Sequence, residues 1–171
     1  MAFWDVFKNN ETSKTRDDHS SLYHILQTQF PEISEEDLIK VTCIAGLMAR
    51  VAYVDFDLDI GEKDYMHKAI TEFGKFSIDE SKAIVEIATD HIKELAGLEN
   101  HLYVHQLKGV LDKTARYRVI EALFALAASD GLVENIESEE IRIIVKGFDL
   151  SGQHFLAARA KVADKLAALK G

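Results

Sequence analysis

The sequence predicts an all-α protein, one helical domain of seven to eight helices, on three observations. Only one proline, Pro31, interrupts 171 residues, and the nine glycines are scattered. Apolar residues recur at the three- and four-residue spacing of a helix face nearly throughout, and no run alternates for long at strand spacing. Two segments, "VTCIAGLMARVAYV" and "ARYRVIEALFALAAS", are apolar on most faces and belong at the centre of the packing.

The elements follow in order. Residues 1–8 form a short amphipathic piece carrying Phe3, Trp4, Val6 and Phe7. Residues 9–18, "NNETSKTRDD", have the composition of a linker. The helical domain is therefore expected over 19–171. Its first helix, "SSLYHILQTQF", is stopped by Pro31. Ser34 can cap the next helix, with Asp37 three residues on and Ile33 and Leu38 placed as a hydrophobic staple. That helix should run to about Val54. A helix over about 61–73 follows, expected to bury Met66, Ile70 and Phe73. Ser77 and Glu80 form a capping box for "IDESKAIVEIATDHIKEL". Helices over about 99–112 and through "ARYRVIEALFALAAS" come next, then one over about 138–148. Ser151 begins a last helix ending in "AARAKVADKLAALKG".

A chain of this length buries enough surface to fold without a disulfide or a structural metal. Its single cysteine, Cys43, sits among apolar residues, which excludes an internal disulfide and a multi-thiolate zinc site and fits a reducing compartment. Cys43 reads as a small core hydrophobe. "MAFWDVFKNN" lacks the basic start and apolar run of a secretory signal. The longest apolar stretch is shorter than ~18 residues and is broken by Arg50, so no transmembrane span is expected. These features point to the cytoplasm. Residues 2–8 could touch a membrane surface or a partner, but they carry little positive charge, and packing on the domain is the other reading.

The net charge of −9 is concentrated. Residues 53–64 hold five acids and one base, and residues 130–140 hold five acids and no base. The rest of the chain keeps 19 acids and 19 bases, out of totals of 29 and 20. The whole excess thus lies in two patches. That disfavours nucleic acid and favours a cation or a basic partner surface.

The two patches repeat one another. A shift of 75 residues carries Ala52 to Ala127, Asp55 to Asp130, Leu58 to Val133, Glu62 to Glu137, Met66 to Ile141, Ile70 to Val145 and Phe73 to Phe148. One unit, apolar helix then acidic loop then amphipathic helix, is expected twice, about 34–96 and about 99–169. The two units should pack about an approximate two-fold axis. Asp55 and Asp130 follow a helix end, where a carboxylate is unfavourable unless compensated, while Glu62 and Glu137 open the next helix, where it is favoured. If the loops fold back, these four carboxylates and free backbone carbonyls could hold a hard cation, Ca²⁺ or Mg²⁺. Asp57, Asp59 and Glu134 are further candidate ligands. Asp55, Asp57 and Asp59 match positions 1, 3 and 5 of an EF-hand loop, but Ile60 and Met66 occupy positions 6 and 12, so it is not one. The plainer alternative is that the aspartates accept turn N–H groups and the glutamates compensate helix starts.

His101 and His105 share a helix face, and with His91 or Glu94 they could bind zinc. Asp64 and His67 make half of a di-iron-like pair, but Arg142 stands where the second histidine would recur. No nucleophile elbow, phosphate-cradling glycine loop or His-Pro-Asp tripeptide occurs. A non-enzymatic protein is expected. The alternatives are a metal-dependent enzyme using the acidic loops as ligands and a purely structural adaptor.

The segment "LFALAASDGLVENIESEEIRIIVKGFDLS" resembles the TerB-like family, the group around the tellurite-resistance protein TerB, in its Ala-x-x-Asp-Gly, apolar, Glu and Ile-rich helix. The first half keeps Asp55, Leu58 and Glu62 but has Phe56 at the glycine position. "SLYHIL…FPEISEEDLIKV" is similar to a longer subgroup, and the likeness spans about residues 20–165. It implies an all-helical pseudo-two-fold module linked to stress response, tellurite resistance or membrane-associated complexes. It also implies metal ligands at Asp55, Glu62, Asp130 and Glu137. Many members of the family have no known activity, and those fused to J-domains carry a tripeptide lacking here.

Overall fold

The computed structural model describes residues 21–95 and 100–166, the side chains of 94, 95 and 100 excepted. Among the described residues eight α-helices follow one another: α1 (Ser21–Gln29), α2 (Glu35–Ala52), α3 (Ile60–Gly74), α4 (Ile78–Leu95), α5 (Asn100–Val110), α6 (Lys113–Ala127), α7 (Asn135–Gly147) and α8 (Gly152–Ala160). A short 3₁₀ turn, Ala163–Lys165, closes the described chain. No strand occurs among the described residues, only an isolated parallel bridge between Val133 and Leu166. The all-α expectation holds. The amphipathic piece 1–8, the linker 9–18 and residues 167–171 lie outside the described residues.

The most apolar helix is the central one. α2 touches α1, α3, α4, α5, α6 and α7 and buries residues around its whole circumference, Leu38, Cys43, Leu47, Met48 and Val51 among them. Its start is the expected one. The Ser34 hydroxyl accepts the Asp37 N–H at 3.2 Å, and Ile33 packs partly buried on the core beside buried Leu38. Gly46 marks where α5 crosses closest: a Cβ there would stand 2.6 Å from the Tyr103 ring. Cys43 is fully buried as expected, its thiol donating to the Gln106 side-chain oxygen at 3.0 Å, and burial pushes its pKa up. The second apolar helix, α6, packs on α2, α3, α7 and α8, with Leu123, Phe124 and Leu126 buried.

Three expectations need correction. Phe73 is 43% exposed rather than buried, because it lies in the last turn of α3, beyond the stretch where Met66 and Ile70 meet the core. α7 begins at Asn135, three residues early, because the Glu134 N–H donates to the Glu137 carboxylate and starts the helix there. The last helix stops at Ala160, since the chain turns through Lys161 and Val162 so that the Val133 N–H can donate to the Lys165 carbonyl at 2.6 Å. The Ser77–Glu80 capping box forms as read, with the Ser77 N–H on Glu80 at 2.8 Å and the Glu80 N–H on Ser77 at 3.2 Å.

Candidate functional site

Each of the two central helices ends in an acidic loop, and the loops use the same local devices. After α2, the Asp55 carboxylate accepts the Asp57 N–H at 2.9 Å. After α6, the Asp130 carboxylate accepts the Leu132 N–H at 2.9 Å. Both are turns closed by an aspartate side chain onto the backbone two residues on. At the start of α3 the Glu62 carboxylate accepts the Asp59 N–H at 2.9 Å, and at the start of α7 the Glu137 carboxylate accepts the Glu134 N–H at 2.8 Å. Each glutamate satisfies a donor that the helix itself leaves open. The plainer alternative for these four residues is therefore realised in the hydrogen bonding.

The fold then brings the loops together. A Cβ on Gly61 would lie 3.1 Å from the Ser129 carbonyl oxygen, so the first turn of α3 rests on the second loop. Asp55 and Asp130 are exposed, whereas Glu62 and Glu137 are each only 4% exposed. Burial pushes the Glu62 carboxyl up to about 7. Its hydrogen bond from the Asp59 N–H opposes this, and the negative charges of Asp130, Asp55 and Asp59 add to it. Burial likewise pushes Glu137 up to about 8, against the hydrogen bond from the Glu134 N–H and with the charges of Glu62, Asp130 and Asp55. Four acids from two loops 75 residues apart thus form one electrostatic cluster, and among the described residues no basic side chain is a cause acting on its two buried members. Lys63, next to Glu62 in sequence, is turned to Glu86 of α4 at 3.3 Å, and Arg50 is turned to Glu140 of α7, with Nε–Oε1 3.3 Å and an Nη–Oε2 contact at 3.4 Å.

The remaining candidates stand at the edges. Asp57 is exposed and lends only its N–H to Asp55. Asp59 is the N-cap of α3 and accepts the Gly61 N–H at 2.6 Å. Glu134 is the exposed N-cap of α7. Oxygen donors of this kind suit a hard cation, and in each of the four central carboxylates the turn or cap bond involves one oxygen. Among the described residues, no three His, Cys, Asp or Glu side chains are close enough, as they stand, to hold an ion. The same holds for the histidines. His101 and His105 are both exposed on α5, and His91 is buried with its Nε2 3.1 Å from the Ser21 hydroxyl. Glu94's side chain lies outside the described residues. Arg142, where a second histidine was sought, stacks on the Phe155 ring at 4.3 Å.

The family profile described as "Tellurite resistance protein TerB" matches residues 40–160. The chain belongs to the TerB family. The TerB match begins in α2 and ends with α8, so it takes in both acidic loops and the helices on either side of each. No curated protein and no solved structure matches the chain. TerB is not in general a family of classical enzymes. No described helix is long and apolar enough to cross a membrane.

Sequence reasoning missed two parts of this arrangement. In the sequence Arg50 reads only as a break in an apolar run, yet it ties the end of α2 to α7 beside the acidic cluster. Val133 and Leu166 pin the second loop to the end of the chain, a contact that no local pattern announces.

Proposed function

We propose that the protein is a non-enzymatic module of a cytoplasmic, tellurite-resistance-type stress system, and that its two acidic loops jointly take up a divalent cation, Ca²⁺ or Mg²⁺. The supporting observation is the pair of buried glutamates, Glu62 and Glu137, lifted to about 7 and about 8 beside Asp55 and Asp130 with no base among the described residues to offset them. Such a cluster lacks positive charge, and a cation drawn between the loops would supply it. Binding requires ionised carboxylates, so it strengthens as pH rises from about 6 to 9 and releases protons. In this reading the repeats about 34–96 and about 99–169 are a duplicated unit that sets one loop against the other.

Thermal melts at pH 8 test the reading, first with EDTA and then with Ca²⁺, Mg²⁺ or Mn²⁺ alone. A cation at a hundred times its Kd stabilises by about 2.7 kcal/mol, a clear rise in Tm. Asp55→Asn with Asp130→Asn keeps both turn hydrogen bonds and should abolish the rise. No rise with any cation in the wild type would sink the proposal.

A basic protein partner is the second reading, favoured by Phe56 and Ile60, which stand 75% and 76% exposed among the aspartates. A bare ion makes no use of them. Binding of a Lys-rich amphipathic peptide that survives EDTA and is lost in Phe56→Ser would support this reading over the first.

A further inference from the structure

A groove opens at the other end of the two central helices, away from the acidic loops. Its volume is about 220 Å³, room for roughly seven waters. Val41 and Ile44 of α2, Ile70 of α3 and Val119 of α6 form apolar walls, and half-exposed Phe73 stands at the mouth. Its rim carries the charged side chains Asp37, Lys40 and Arg118. Lys40 pairs with Glu36, and Asp37 is held by the Ser34 hydroxyl at 2.8 Å. Arg118 is exposed and makes no ion pair with a described residue.

The same chain carries a segment with matching chemistry. Phe3, Trp4, Val6 and Phe7 surround one acid, Asp5, and Phe3, Val6 and Phe7 fall at i, i+3 and i+4. The thirteen residues from Lys8 to Ser20 contain no apolar side chain. Fully extended they span about 45 Å, against a radius of gyration of about 15 Å for a domain of this size. Much of the surface is therefore within reach of Ser21, the first residue of α1. Charge selects among the faces. Of the exposed apolar side chains, Phe56 and Ile60 are flanked by aspartates that repel Asp5, whereas the groove offers Arg118 to attract it.

We propose that this groove receives residues 3–7 of its own chain, with an aromatic side chain against Phe73 and the Asp5 carboxylate facing Arg118. Docking within one chain works at an effective concentration near the millimolar range, so a weak contact suffices to keep the groove filled. The segment is then an internal plug that a competing apolar ligand or partner would have to displace.

Trp4 is the only tryptophan, so its fluorescence reports the segment directly. The expected result for the full chain is blue-shifted emission and an acrylamide quenching constant several-fold below that of free indole, independent of protein concentration. Phe73→Glu and Arg118→Glu alter exposed positions and should keep the helical circular dichroism while shifting Trp4 to water-like emission. Asp5→Lys combined with Arg118→Glu should restore the blue shift. Water-like emission in the wild type would overturn the proposal, as would variants that leave the emission unchanged. Concentration-dependent blue shift would overturn it in favour of a second copy. A blue shift seen only with phosphatidylserine vesicles would overturn it in favour of a membrane surface.

Discussion

One residue after its first aspartate, each acidic loop turns through left-handed backbone, Phe56 at φ 67° and Gly131 at φ 105°. Glycine enters that region freely, whereas an L-residue with a Cβ gives up roughly 1–2 kcal/mol. Two residues further the contrast continues. Val133 is fully buried and bridged to Leu166, whereas its counterpart Leu58 is only partly buried. The second loop is thus unstrained and tied to the end of the chain. The first holds a strained aromatic whose ring is mostly in water, steadied by an edge contact to Tyr53 at 5.7 Å. Shared hydrogen bonds at Asp55/Glu62 and Asp130/Glu137 therefore hide a difference in rigidity. The loop with three alternating aspartates is the one held less firmly.

The largest expected effect concerns what the loops share. Both glutamates have ordinary values of 4.5 when unfolded and are raised to about 7 and about 8 in the fold. Between those limits the unfolded chain gains by ionising and the folded one does not. Stability is therefore full below about pH 4.5, falls as pH rises toward 8, and levels off above. Glu62→Gln and Glu137→Gln keep an oxygen for the capping N–H. Each should come within about 1 kcal/mol of the wild type in urea melts at pH 5 and exceed it at pH 8.5 by up to about 3 kcal/mol. The two effects should not add, because the charge on Glu62 is among the causes that raise Glu137. A wild-type stability flat from pH 5 to 8.5 would break the equivalence of the loops at its root.

The next effect separates them. Val133→Ala removes buried methyl groups from the tied loop and should cost about 2 kcal/mol. Leu58→Ala removes partly exposed ones and should cost about half as much. Chemical denaturation of both variants checks the ratio. Equal losses would mean that the bridge to Leu166 does not hold the second loop more tightly.

How much of this was legible depended on the range of each interaction. The Ser34 and Ser77 caps were readable because their partners lie three residues away. The helical class was readable because the apolar spacing persists across the chain. The acid types at Asp55, Glu62, Asp130 and Glu137 were also visible, but their meeting depends on how α2 and α6 pack, which no local pattern states. The Arg50–Glu140 pair spans 90 residues, so both partners read as isolated charges. Phe73 misled for a different reason. Helical spacing assigns it the face of Met66 and Ile70, yet a face stays buried only as far as another helix covers it, and here the cover ends at the groove.

The smallest effect is the sharpest on backbone. Gly131→Ala meets no atom within 4 Å, so its cost is conformational alone, about 1 kcal/mol. Phe56→Gly is the mirror experiment. It relieves left-handed strain but loosens the unfolded chain and loses the contact with Tyr53, so the net gain should be about 0.5–1 kcal/mol. Opposite signs from the two substitutions, read as shifts of the urea midpoint, are what unequal loops require. If Phe56→Gly instead destabilises, the ring's contact with Tyr53 outweighs the strain. The first loop is then held by its aromatic as firmly as the second is by Leu166, and the exposed ring has a structural role as well as an open face.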